Sequence, residues 1–156
     1  MFRSIAVVGC LLLGACNPSF EEELAGTWEC TPALQAADAA LAMTQTLTYG
    51  DNGELSGAIR VVEKTENTTA TMRGKVSGTW KYNGNSVVHT TTEEFEELRI
   101  GDDIVPREEV NPMLLAGFRP ENTYDVTVDL EGDDLTWFED AEKTKAIANC
   151  KRQTAS

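Results

Sequence analysis

Gly26-Thr27-Trp28-Glu29-Cys30 and, near the far end of the chain, Asn149-Cys150-Lys151-Arg152 decide the fold between them. Side chains alternate along an extended strand, so Trp28 and Cys30 share one face, and Cys150 and Arg152 share a face of theirs. Suppose the two segments pair antiparallel with Cys30 opposite Cys150. Paired positions then sum to 180, and Trp28 stands opposite Arg152. An arginine over an indole is a favourable cation–π contact, worth about 0.5–2 kcal/mol. Joining the first strand to the last closes a sheet on itself and removes its open edges.

Working inward from both ends, the chain reads mostly as β. Leu47 and Tyr49 lead into Asp51-Asn52-Gly53, and Leu55, Ile59 and Val61 share a face of the return strand. Val76, Gly78, Trp80 and Tyr82 alternate with Thr79 and Lys81 before the turn Asn83-Gly84-Asn85. Tyr124, Val126, Val128 and Leu130 alternate with Asp125, Thr127 and Asp129, and Glu131-Gly132-Asp133-Asp134 turns that strand into Leu135-Thr136-Trp137-Phe138. Period-two alternation punctuated by Asn/Asp-Gly turns is the pattern of antiparallel hairpins.

Two stretches break the rhythm. Residues 33–43 are Ala-rich, with Leu34, Ala37 and Leu41 at helical spacing, which predicts a short helix. Residues 93–121 form a loop or helix insert. Positions 93–109 hold eight acidic and two basic residues, and Pro106, Pro112 and Pro120 are three of the five prolines. A long excursion of this kind in a β domain is either a lid or binding loop, or a structural insertion.

The start of the chain gives an address. Arg3, an apolar run of about ten residues and Leu13-Gly14-Ala15-Cys16 have the layout of a secretory signal peptide, and the run is too short to span a membrane. Leu13-Gly14-Ala15-Cys16 resembles the lipobox of bacterial lipoproteins. That resemblance implies removal of residues 1–15, lipid on Cys16, and, because Asn17 stands where the inner-membrane retention signal is usually aspartate, an outer-membrane anchor facing the periplasm. The bland alternative is an ordinary signal peptide with an incidental cysteine. Residues 16–24 then form an acidic tether containing Glu21-Glu22-Glu23, residues 25–152 the domain, and 153–156 a tail. Cys10 leaves with the leader and Cys16 carries lipid, so Cys30 and Cys150 remain. An exported protein permits a disulfide between them, the alternative being two buried free thiols.

The order of the pieces resembles the lipocalin-like domains of bacterial lipoproteins. The family opens with Gly-x-Trp, matched by Gly26-Thr27-Trp28, repeats hairpins with Asn/Asp-Gly turns, and ends on a basic residue, where Lys151-Arg152 stand. A second Gly-Thr-Trp lies at 78–80. The resemblance implies an all-β fold: a small antiparallel lipocalin-like barrel, or a strongly curved meander sheet, with Arg152 packed on Trp28.

Charge narrows the function classes. The chain carries 13 basic and 26 acidic residues, −13 overall, and loss of residues 1–15 removes only Arg3, leaving −14. A surface of this sign argues against nucleic acid and anionic head groups. The one histidine, His89, reads as an ordinary strand residue beside Val87. With no nucleophile elbow, P-loop or dinucleotide fingerprint, the sequence points to no enzyme and no cofactor, and the acidic pairs match no metal-loop spacing. Tyr49, Trp80, Tyr82, Tyr124 and Trp137 fall on inward faces. They either fill the barrel as core or line a cavity for an apolar ligand. The expected function is a non-catalytic binding module for a small hydrophobic or amphipathic ligand, held to the membrane through Cys16. The alternative is an envelope interaction protein, using its acidic surface on a basic partner or using the 93–121 insert.

Overall fold

The computed structural model describes residues 18–36 and 40–154, so the leader, Cys10, Cys16 and the last two residues lie outside the described part. The order of elements is α1 (Phe20–Leu24), β1 (Gly26–Pro32), β2 (Leu41–Tyr49), β3 (Glu54–Lys64), β4 (Thr69–Tyr82), β5 (Ser86–Ile100), β6 (Asp103–Ile104), α2 (Pro112–Leu115), β7 (Asn122–Glu131), β8 (Asp134–Phe138) and β9 (Ala146–Arg152). Eight strands close into an antiparallel up-and-down barrel. Each pairs with its neighbour in the chain, β5 pairs with β7, and β9 returns to β1. The two-residue β6 lies on the outer end of β5.

Alternation builds the wall and Asn/Gly residues turn it. Asn52 accepts from the Glu54 amide, and Gly53 supplies the positive φ, +81°, between β2 and β3. Asn83 plays the same part before β5, its side-chain oxygen accepting from the amides of Asn85 and Ser86. The hairpin between β3 and β4 turns through residues 65–68, where Thr65 bonds Thr68 through both side chain and backbone. No glycine marks that turn in the sequence.

Cys30 is disulfide-bonded to Cys150, and in that register Trp28 stands opposite Arg152. The guanidinium carbon lies 4.2 Å from the Trp28 ring centroid. Residues 20–24 are more than a tether. Ser19 and Glu22 form a capping box that starts α1, and Leu24 is fully buried in the barrel. A helix this short leaves its last carbonyls without internal partners. Arg152 donates to the carbonyls of Ala25 and Glu23, and the Trp28 indole donates to that of Leu24 at 2.8 Å. Phe20 stacks on Tyr82 with centroids 4.2 Å apart. This end of the barrel is therefore plugged.

Two expectations are corrected. The described part of residues 33–43 is not helical. Leu34 sits in an exposed turn, and Leu41 to Met43 open β2, paired with Glu63 to Val61. Residues 37–39 lie outside the described residues. Helix propensity in alanine is weak, and a nine-residue ladder with β3 overrides it. The insert is also shorter than 93–121, because β5 runs on to Ile100. A bulge opposite Arg73 and Gly74 bends that extension. Residues 101–121 then fold back onto it around Phe95, Leu98 and Val110, with Met72, Val105, Leu115 and Phe118 against them. Gly74 permits this, because any Cβ there would overlap the Phe118 ring.

Candidate functional site

Residues that fill the barrel set where a site can form. From α1 to mid-height the interior is packed by Leu24, Trp28, Leu47, Leu55, Val76 and Leu135, each at most 2% exposed. Three of the five expected ligand-lining aromatics belong to this filled part. Trp80 donates to the Gly50 carbonyl at 2.9 Å, Tyr82 to the Gly84 carbonyl at 2.7 Å, and Tyr49 packs edge-on to Trp80.

At mid-height the packing becomes polar. The Tyr49 hydroxyl lies 2.8 Å from His89 Nε2. His89 is fully buried, stacks on Tyr124 with centroids 4.8 Å apart, and lies 5.2 Å from the Trp137 ring. Burial pushes its pKa down to about 4, against a weaker upward pull from Asp125, so the imidazole is neutral at pH 7. Burial likewise pushes the Tyr49 phenol well up, with Tyr124 adding to it. Tyr124 rises to about 12, through burial first and Glu93 second.

Above this layer lies the mouth. A cavity of about 330 Å³ opens there, with Trp137, Tyr124 and Val126 as its floor. Met43, Gln45 and Ile147 form one side, and Glu93, Arg119 and Asn122 form the rim. A recess of about 190 Å³ shares Met43, Gln45, Trp137 and Ile147 with it and reaches Cys30 and Ala148. One step further along β2, Leu41 enters an apolar groove of about 250 Å³ with Met72, Ile100 and Leu114. Tyr124 and Trp137 are thus the two expected lining aromatics that reach open space.

Among the described residues, three buried side-chain polar atoms have no hydrogen-bond partner: His89 Nδ1, Thr91 Oγ1 and Trp137 Nε1. They cluster under the mouth. His89 and Thr91 are successive inward positions of β5, and their β7 partners Tyr124 and Asn122 line the cavity. The sequence pattern marks His89 as an ordinary strand residue and does not single out Thr91. The signal was an imidazole and a hydroxyl at alternating inward positions beside Val87. No group of three or more His, Cys, Asp or Glu residues that could hold a metal occurs among the described residues.

Fold and site together define a closed eight-stranded antiparallel barrel, plugged at one end and open at the other over a polar layer. No family model, no curated protein and no solved structure matches this chain.

Proposed function

We propose that this protein is a lipid-anchored, periplasm-facing binding module of the lipocalin-like kind, taking a small amphipathic or hydrophobic ligand at the mouth of its barrel and catalysing no reaction. The observation that carries this reading is the cavity of about 330 Å³ floored by Trp137 and Tyr124. The depression is shallow and open, and its lining mixes apolar Met43, Val126, Trp137 and Ile147 with polar Gln45, Glu93, Arg119 and Asn122, a combination that suits an amphipathic guest. The filled interior moves the site from the barrel's centre to its rim.

The anchor gives the barrel an orientation. Only two residues, Asn17 and Pro18, separate Cys16 from Ser19, the cap of α1, a span of about 10 Å at full extension. Lipid on Cys16, added at an outer membrane, holds the plugged end near the bilayer and turns the mouth towards the periplasm. His89 contacts Tyr49, Tyr124 and Trp137, so its ring belongs to the polar layer that underlies the proposed binding mouth.

The test is native mass spectrometry of the protein taken from its own envelope. The expected result is a mass carrying lipid on Cys16 together with a small ligand that leaves on unfolding. A bare mass, combined with no response of Trp137 fluorescence to any amphipath, contradicts the reading.

A second reading rests on a different observation. Ile104, Met113 and Leu114 of the insert are exposed, Met113 at 82%. Exposed apolar groups gathered on one segment mark interaction sites. An envelope partner bound through them stays bound as salt rises, whereas a basic partner bound through the acidic surface is released.

A further inference from the structure

We infer that Trp137 Nε1, Thr91 Oγ1 and His89 Nδ1 form a head-group pocket beneath the mouth, built to receive an uncharged carbonyl oxygen, so that a ligand enters polar end first. This inference rests on the mouth being a ligand site and adds the ligand's chemistry and direction.

Buried polar groups in native proteins are nearly always paired, and leaving one unpaired costs about 1–3 kcal/mol. Here the three unpaired atoms lie on residues no more than 5% exposed: Trp137 lines the mouth cavity, its ring lies 5.2 Å from that of His89, and His89 and Thr91 pair with Tyr124 and Asn122, which also line the cavity. The other two tryptophans are a built-in contrast. Trp28 donates to the Leu24 carbonyl and Trp80 to the Gly50 carbonyl. Only the indole at the floor of the cavity is left without an acceptor.

The atoms specify the guest. An indole N–H can only donate, and a threonine hydroxyl can donate. With the Tyr49 phenol donating to Nε2, the imidazole proton sits on Nδ1 and makes a third donor. Donors call for an oxygen acceptor. An ionised head is disfavoured, because a buried charge needs a partner, His89 is neutral, and Glu93 stands at the rim. Arg119 also stands at the rim, 3.5 Å from the Asn122 side-chain oxygen. The tail then leaves past Ile147 and Met43 towards Leu41 and the groove beneath Leu114. An amide or ester with one alkyl chain has this chemistry.

The probe pair is decanamide, with a neutral carbonyl head, and decylamine, with a cationic donor head on the same chain. The readout is the set of three indole N–H signals in protein carrying isotope-labelled tryptophan. Decanamide should move the Trp137 signal saturably and leave those of Trp28 and Trp80 in place, and decylamine should leave all three. Equal movement of Trp137 by both probes overturns the head-group assignment. So does a decanamide that perturbs the Met43 and Ile147 methyls without touching the Trp137 indole, although the mouth then stands as a ligand site. If neither probe perturbs any of these groups, both readings fall. Thr91→Val separates a ligand pocket from a structural one. It removes an unpaired hydroxyl, so the empty protein should be no less stable, while decanamide should bind about five-fold more weakly for one lost hydrogen bond. A variant that loses stability and keeps its affinity shows that internal water satisfies the cluster, and overturns the inference.

Discussion

The two ends of the barrel are made of the same hairpins but solve opposite problems. At the plugged end the strong donors find acceptors: Arg152 takes the carbonyls of Glu23 and Ala25 and Trp28 that of Leu24, and one inward step towards the mouth the Cys30–Cys150 bond ties the first strand to the last. At the mouth, three buried polar atoms are unanswered, and apolar Leu41, Ile100 and Met113 face solvent. A protein tuned for stability alone would pair or remove such atoms. The contrast concentrates stability at the end that carries α1 and the Trp28–Arg152 pair, and leaves the other end to the recognition proposed above.

The sharpest way to break this contrast is to cut the closure. Replacing Cys30 and Cys150 together by serine opens a loop with a sequence separation of 120 residues. In the chain-entropy account this costs about 5 kcal/mol, read as the loss of urea-unfolding free energy. A loss below about 1 kcal/mol means that the strands hold their register without the bond and that the β1–β9 closure is not the keystone.

Trp28→Ala is expected to cost about 3–5 kcal/mol, since it empties the centre of the packed half and frees both Arg152 and the Leu24 carbonyl. Phe118→Ala, in the small core under the insert, should cost about 1–2 kcal/mol, because that cluster is small and partly exposed. Equal losses in thermal or urea unfolding erase the distinction between the two ends.

His89 sits on the boundary and gives a pH signature. Its folded pKa is about 4, below the ordinary 6.5. Between those values the unfolded chain holds more protons than the native one, so stability falls as pH falls through that window. The loss reaches about 3 kcal/mol near pH 4 and grows no further below it. The carboxylates titrate in the same range in any variant, so the quantity to measure is the difference between the wild type and His89→Leu. That difference should be flat above pH 6.5 and change only below it. A difference independent of pH shows that His89 is hydrated in the native state.

How much of this was legible in the sequence follows from which features are local. Strand alternation is local, and so are the turns at Asn52-Gly53 and Asn83-Gly84, and both were readable. Pairing Cys30 with Cys150 converted alternation into the Trp28–Arg152 contact by arithmetic, because register fixes every other pair in a ladder. Residues 41–43 misled because alanine favours helix only weakly, while their partner in β3 lies about twenty residues away. The 93–121 stretch misled for the opposite reason: Glu94, Glu96 and Glu97 lie on the outer side of a strand whose inner side carries Phe95 and Leu98, with Glu93 at the rim of the mouth. The polar layer was illegible because an unpaired atom is defined by what fails to stand opposite it. Nothing in the letters His89, Thr91 or Trp137 tells that their neighbours are rings rather than acceptors.

Native-state hydrogen exchange, read residue by residue, tests the division between the two ends most directly. The account predicts that amides of β1 and β9 exchange only through global unfolding, at the free energy found in urea. The Val105, Val110 and Ala116 amides, bonded to Leu98, Arg107 and Pro112, should exchange through local opening at a free energy several kcal/mol lower. One common exchange free energy for the insert and the plugged end would contradict it.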